Sequence, residues 1–323
     1  MLRQAVSLLG CVTLLALASV SHAQDGKFPT KPIQVIITST PGSTSDLLTR
    51  FLGAEMSKSL GQPIIVMSKA NETGTIGADQ ARRAPPDGYT LFLGGNTTMA
   101  ANVHLIRNLS YDPLRDFAPI SLVSINPLVL VVRSDLPIKS VSELVAYAKA
   151  RPGKMNYGVG NSGGKVAVQL LRSLTGIEAQ EVSFKGASQA MMEVAGGRLD
   201  FMVVDPMVAD TFLKQGTIRA LAVTSTQRLP MMSNLPTMAE AGVKGYDYAS
   251  WLGYYAPKGT PQPVIDKLND AFVKAIDSKA AQDFFLRTGM IGKSSTPQGL
   301  TAFTQDQIAA WQRLVKVAGM EAQ

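Results

Sequence analysis

Ile33–Met56 reads IQVIITSTPGSTSDLLTRFLGAEM. Its first six residues, Ile33–Thr38, form a β-branched run of strand length. Pro41–Asp46 (PGSTSD) follows, made of turn residues and of the side chains that cap helices. Leu47, Leu48, Phe51, Leu52 and Met56 then recur at helical spacing. The unit is a strand, a small polar loop and a helix. Several such units in a row predict α/β layers with mostly parallel sheets.

The unit recurs downstream. Ile64–Met67 precedes a loop around Gly74–Gly77, and Thr90–Leu93 precedes Gly94-Gly95-Asn96-Thr97-Thr98. Leu128–Val132 leads to a helix whose Ser140 and Glu143 are spaced as a capping box. Met155–Val159 runs into Gly160-Asn161-Ser162-Gly163-Gly164 and then an apolar-periodic helix. Phe201–Val204 ends at Asp205-Pro206, and Ala220–Val223 is a further strand. The C-terminal third reads as helical, with Thr260-Pro261 and Thr296-Pro297 as cap and first-turn pairs. Two stretches have the character of crossings between lobes: Leu122–Pro127, and Tyr246–Tyr255, where aromatic residues crowd together. Two crossings put the two ends of the chain in one lobe and its middle in the other.

The chain has 323 residues, of which 46% are hydrophobic and 17% charged. That supplies real cores and excludes intrinsic disorder. At about 100–200 residues per domain, it suits two lobes. The formal charge is +7, but the basic residues are scattered, with no run longer than Arg82-Arg83. No nucleic-acid partner is expected from that pattern.

The first 23 residues read as a secretory signal peptide: Arg3, an apolar run Ala5–Val20, then Ser21-His22-Ala23 as a small-x-small cleavage site. The run is shorter than the roughly 20 residues that span a bilayer. Export to the periplasm is expected, with a mature start at Gln24. Cys11 is the only cysteine, and too little apolar sequence precedes it for a lipid anchor. Cleavage would leave no thiol and one histidine, His104, so thiol catalysis, disulfides and a multi-histidine metal site all fall away.

Two loop patterns point elsewhere and fail on inspection. Gly158–Gly163 fits G-x-G-x-x-G, but Glu178 and Glu181 fall at the start of the next strand rather than its end, where a ribose-binding acid belongs. Gly160–Gly164 fits G-x-S-x-G, but no histidine follows residue 104 to serve as base. Ser162 is therefore read as a hydrogen-bond donor, and His104 as a surface or satisfied histidine. What remains are Gly-rich polar loops at the carboxyl ends of strands, each opening a helix. A helix start exposes unpaired N–H groups with the positive end of the macrodipole. Each loop taken alone is ordinary capping. PGSTSD and GNSGG on opposite lobes together read as two anion cradles.

At this point the sequence resembles the Bug-type solute receptors of tripartite tricarboxylate transporters. The matching segments are FPTKPI (Phe28–Ile33), PGSTSD, PDGYTLFLG (Pro86–Gly94), YDPLRDFAPISLV (Tyr111–Val123), AKARPGKMNYG (Ala148–Gly158), SFKGASQA (Ser183–Ala190), GGRLDFMV (Gly196–Val203), IRALAVTSTQR (Ile218–Arg228), LPTMAEAGVKGYDYASWLG (Leu235–Gly253) and GTPQPVIDKLN (Gly259–Asn269), in order along the chain. The resemblance implies a type II-like periplasmic binding protein with two α/β lobes and two crossing strands. Lobe I is expected at 24–124 and 248–323, and lobe II at 125–247. It implies a non-enzymatic receptor, acting as a monomer without cofactor or metal, that closes on a small carboxylate: a di- or tricarboxylate, an amino acid or an aromatic acid. Its partners would be integral membrane transporter subunits. By position, Gly42, Ser43, Thr44 and Asp46 would form the first cradle, with Asn96 and Thr97 beside it. Asn161, Ser162 and Gly163 would form the second, and Lys185, Gly186 and Asp205 would approach the ligand's variable end. The loop Lys69–Gly74 carries an added acid, Glu72, and Lys165 or Val166 stands where a histidine is often found. Two other classes stay open: a sensor subunit signalling to a membrane kinase without transport, and an exported enzyme using carboxylates.

Overall fold

The computed structural model describes residues 28–71, 73–317 and 320–322. The signal-peptide reading, Cys11, His22, Gln24 and Glu72 lie outside the described residues. In chain order the elements before the first crossing are β1 (Ile33–Ile37), α1 (Thr44–Leu60), β2 (Ile64–Ser68), α2 (Thr75–Arg82), β3 (Thr90–Gly95), a π-helical turn at Asn96–Ala101, α3 (Asn102–Leu105) and β4 (Phe117–Pro127). The middle of the chain forms β5 (Val129–Arg133), α4 (Val141–Lys149), β6 (Met155–Val159), α5 (Ser162–Thr175), β7 (Ala179–Ser183), α6 (Ala187–Ala195), β8 (Phe201–Val204), α7 (Pro206–Lys214) and β9 (Ile218–Val223). The rest is β10 (Ala249–Pro257), α8 (Gln262–Ile276), α9 (Lys279–Thr288), β11 (Ile291–Gly292) and α10 (Pro297–Val317).

The strands make two sheets, ordered β11-β4-β10-β3-β1-β2 and β7-β6-β8-β5-β9. The expectation of mostly parallel sheets is corrected. Parallel pairing is confined to β2-β1-β3 and β7-β6-β8. β4 and β10 pair antiparallel, β10 meets β3 antiparallel, and β5 runs against both β8 and β9. The reason lies in the connections. Each parallel block is a βαβ unit whose crossover helix returns the chain in the same direction. The strands that leave one sheet for the other have no such helix and meet their neighbours head to tail.

β1 shows why the parallel block forms. Four of its five residues are buried, as expected for a strand covered by helices on both faces. The chain passes from the first sheet to the second at Pro127–Val129 and returns just before Ala249. Tyr248 N donates to Thr224 O at 3.1 Å, so the return begins on the second sheet. The aromatic residues of this stretch are interior: Tyr246, Tyr248, Trp251, Tyr254 and Tyr255 are all buried. Trp251 packs edge-on against Phe303 and Tyr248 against Trp311, both rings on α10. One core therefore runs from Ile36 and Phe92 in the first sheet through these rings to Leu130 and Tyr157 in the second. Burying such rings stabilises by roughly 1.5–3 kcal/mol each.

Helix starts follow the cap chemistry with two adjustments. Thr296 Oγ1 accepts from Gly299 N at 3.0 Å, as expected of a cap before Pro297. Thr260-Pro261 is shifted by one residue: Pro261 is the N-cap, and Thr260 Oγ1 donates back to Pro257 O. Ser140 caps α4 through Glu143 N, but Glu143 reaches Lys139 N rather than the N-cap amide, so the box is half formed. Among the described residues no helix is long and apolar enough to cross a membrane.

Candidate functional site

The carboxyl ends of β1, β3, β6 and β8 open into one cleft between the two sheets, of about 1280 Å³. Its wall includes the starts of α1, α5, α6 and α7. Each helix start owes its place to a short loop that leaves the strand and turns at once.

At α1, Gly42 sits at φ +78°, a conformation that glycine adopts freely. Ser43 is the N-cap and accepts from Asp46 N at 3.4 Å, while its hydroxyl donates to Ser39 Oγ at 2.9 Å. The amides of Thr44 and Ser45, first and second in the helix, have no intrahelical acceptor, and both residues line the cleft. At α5, Asn161 Oδ1 accepts from Gly164 N at 2.8 Å. Ser162 and Gly163 are the matching first and second positions, again on the cleft wall. The two sheets thus present the same device face to face. α6 adds a third start: Gly186 offers no side-chain cap, and Ala187 and Ser188 line the cleft. Gly160 makes this approach possible, since a methyl group there would overlap the Gly186–Ala187 peptide.

Of the residues expected from the sequence, Gly42, Ser43, Thr44, Asn96, Thr97, Asn161, Ser162, Gly163, Lys185, Gly186 and Asp205 all line the cleft. Asp46 does not. It is 3% exposed, and its carboxylate is turned into the loop, accepting from Gly42 N at 2.9 Å and from Arg50 Nε at 3.1 Å. Asn96 faces the cleft with its side chain engaged: Oδ1 accepts from Trp251 N at 2.7 Å, and Nδ2 donates to Ala249 O at 3.4 Å. It ties the first-sheet loop to the returning strand.

Sequence reasoning did not single out the floor and far wall. Asn126 and Ser250, opposite each other across β4 and β10, line the floor, and Phe184, Met207 and Phe212 give an apolar wall. Asn126 closes the crossing stretch, and that was the available signal. The apolar wall had none.

The charges are unevenly committed. Lys165 Nζ lies 3.0 Å from Glu181 Oε1. Burial raises the Glu181 carboxyl, but Lys165 and the hydroxyls of Tyr157 and Ser183 outweigh it and hold it below the usual carboxylate range. Asp205 is the opposite case: burial pushes its carboxyl up to about 6, with only its own amide in opposition. Tyr248 is buried, its hydroxyl lacks a partner, and a methyl group on Gly163 would lie 3.4 Å from it. Among the described residues no cluster of His, Cys, Asp or Glu could hold a metal ion. His104 Nε2 is 2.8 Å from Ile308 O, away from the cleft. Chemically, the arrangement can surround an anion with main-chain and hydroxyl donors from both sheets.

The sequence pattern of the tripartite tricarboxylate transporter family receptors matches residues 48–320. The chain is 32% identical over 295 residues to Protein BugT of Bordetella pertussis, covering 90% of each. Among solved structures, R. palustris Rpa4515 with adipate superposes with a TM-score of 0.86 at 33% identity, covering 92% of this chain and 100% of that one. MatC (Rpa3494) from Rhodopseudomonas palustris with bound malate superposes with a TM-score of 0.82 at 30% identity, covering 89% and 100%. With two α/β sheets, a cleft between them and a family match over most of its length, the chain belongs to the tripartite tricarboxylate transporter receptors, the Bug-type periplasmic solute-binding proteins.

Proposed function

We propose that the protein is an extracytoplasmic receptor that binds a small carboxylate between its lobes and hands it to a tripartite-type membrane transporter. The observation that carries this reading is the pairing of α1 and α5, whose first two residues line one cleft from opposite sheets. Burying a carboxylate is costly unless it is paired or fully hydrogen-bonded. Hydrogen bonds to a charged group contribute roughly 1.5–3 kcal/mol each. Four to six of them, offset by ordering and closure, reach micromolar affinity, about −8 kcal/mol. The R. palustris Rpa4515 structure is with adipate and the MatC structure with bound malate, both dicarboxylates, and this supports the ligand class.

In this reading the lobes are 24–124 with 248–323 and 125–247, and the chain is exported by its first 23 residues. Thr44, Ser45, Ser162 and Gly163 donate to one carboxylate, with Ser43, Thr97 and Asn161 shaping the loops. Closure would bring surfaces of both lobes together for the membrane partner. No catalytic step is assigned. Calorimetry on protein stripped of carried-over ligand, against mono-, di- and tricarboxylates, amino acids and aromatic acids, tests the reading. Micromolar binding of at least one class is expected, and silence from all of them would reject it. Interaction capture in cells tests the delivery step, with transporter subunits as the expected partner rather than a kinase.

A further inference from the structure

Among the described residues, three charged side chains line the cleft: Lys165, Lys185 and Asp205. Lys165 is engaged by Glu181. Asp205 differs from the other acids near the site, because it is at the N-cap of α7 and yet caps nothing. The first residue of that helix is Pro206, which has no N–H to offer. Its own amide donates to its carboxylate, its side chain makes no capping bond, and the buried Tyr248 hydroxyl lies near enough to interact with it electrostatically. Its position relative to the second cradle is fixed by close packing. A methyl group on Gly164 would lie 2.7 Å from Val203 O, so the end of β8 abuts the first turn of α5. Asp205, two residues on, lines the same cleft as Ser162 and Gly163.

A ligand carboxylate seated on the amides of Ser162 and Gly163 would bring its neighbouring carbons toward Asp205. A half-buried carboxylate served by no donor beyond its own amide is destabilised, and a ligand N–H or O–H would relieve that only on binding. A bare methylene there would deepen the desolvation and return nothing. We propose that Asp205 is a specificity-determining acceptor, and that the preferred ligand is a carboxylate bearing an ammonium or hydroxyl group near the acid rather than the unsubstituted acid. The inference rests on the carboxylate-receptor reading above. Burial raises the Asp205 carboxyl to about 6, so near pH 8 it is ionised and can only accept.

The experiment uses matched sets that differ at one carbon: succinate, malate and aspartate; glutarate, 2-hydroxyglutarate and glutamate; propionate, lactate and alanine. Each is titrated calorimetrically at pH 8 into stripped wild-type protein, Asp205→Asn and Asp205→Ala, with thermal melts to confirm folding. In at least one set a substituted acid is expected to bind tenfold or more tighter than its bare counterpart. In Asp205→Ala that ratio falls to within threefold of one. Asp205→Asn keeps a neutral acceptor, so a hydroxyl preference survives in it while an ammonium preference is lost. This separates the two donors. Bare acids binding as tightly as substituted ones in every set, or a preference that persists in Asp205→Ala, overturns the inference and leaves the receptor reading standing. Failure of every acid in every set to bind overturns both.

Discussion

Asp46 Oδ2 accepts the amide of Gly42 at 2.9 Å, so the acid of the first-sheet loop consumes one of that loop's own donors. Its other oxygen is paired with Arg50 at 3.0 Å. Burial raises the Asp46 carboxyl, but Arg50 and the Gly42 amide together outweigh it and hold it below the usual range. An ionised acid three positions into α1 would repel an incoming carboxylate. Arg50 and Gly42 neutralise that charge and convert it into a clamp on the loop. Asp46→Ala should therefore weaken ligand binding about tenfold through a loosened loop, and cost about 1–2 kcal/mol of stability. Urea unfolding and calorimetry measure the two effects separately.

Gly163→Glu separates binding from folding. Gly163 is second in α5 and lines the open cleft, and an added Cβ there would meet its nearest atoms at 3.4 Å, an ordinary contact. An acid in the first helical turn is favourable by about 0.3–1 kcal/mol, and losing a helical glycine adds roughly as much. The variant should melt at or above the wild-type temperature, yet bind carboxylates at least a hundredfold more weakly, because its own carboxylate fills the cradle. Ser43→Glu should abolish binding too, but it also removes an N-cap and should lose about 1 kcal/mol. Retained affinity in both variants would remove the cradles from the site.

The glycine-rich loops could be read in the sequence because each cradle is local. Cap, first amide and second amide are consecutive residues, as in Asn161-Ser162-Gly163. The antiparallel centre of each sheet could not be read that way. Whether β10 runs with or against β3 depends on where a chain returns after more than a hundred residues in the other sheet, and no local pattern encodes that. Asp46 shows the same limit within one loop. An acid at the third helical position fits either a ligand contact or an internal clamp, and only the direction of its carboxylate decides. The apolar wall of Met207 and Phe212 is one face of α7, whose periodicity marks burial without saying against what.

Gly160→Ala tests the seam between the second and third helix starts. The added methyl would overlap the peptide joining Gly186 to Ala187, so backbone rather than a flexible side chain would have to shift. Overpacking of this kind costs about 1–3 kcal/mol. The loss should appear as a lower melting temperature together with weaker binding, since α5 and α6 would be forced apart. A variant as stable as wild type would mean that the seam is looser than the geometry implies.

Asp205 gives the chain a pH signature of the opposite sign to its other shifted acids. Folding raises its carboxyl from about 4 to about 6, so between these values the folded state keeps a proton that the unfolded chain releases. Its contribution to stability is therefore greatest below about pH 4, falls as pH rises to 6, and is constant above. Asp46, Asp79 and Glu181 are all lowered in the fold and contribute stability that is lost as pH falls. In whole-protein melts the two trends oppose each other, so the readout must be a difference. Unfolding of unliganded wild type and Asp205→Asn, followed in urea at steps from pH 4.5 to 7.5, isolates the group. The wild type should lose about 1–2 kcal/mol relative to the variant across that range, less than the full two-unit shift because the residue is still partly exposed. A difference that stays flat, or grows in favour of the wild type, would show that this carboxylate is solvated in the folded protein and has no unmet need for a donor.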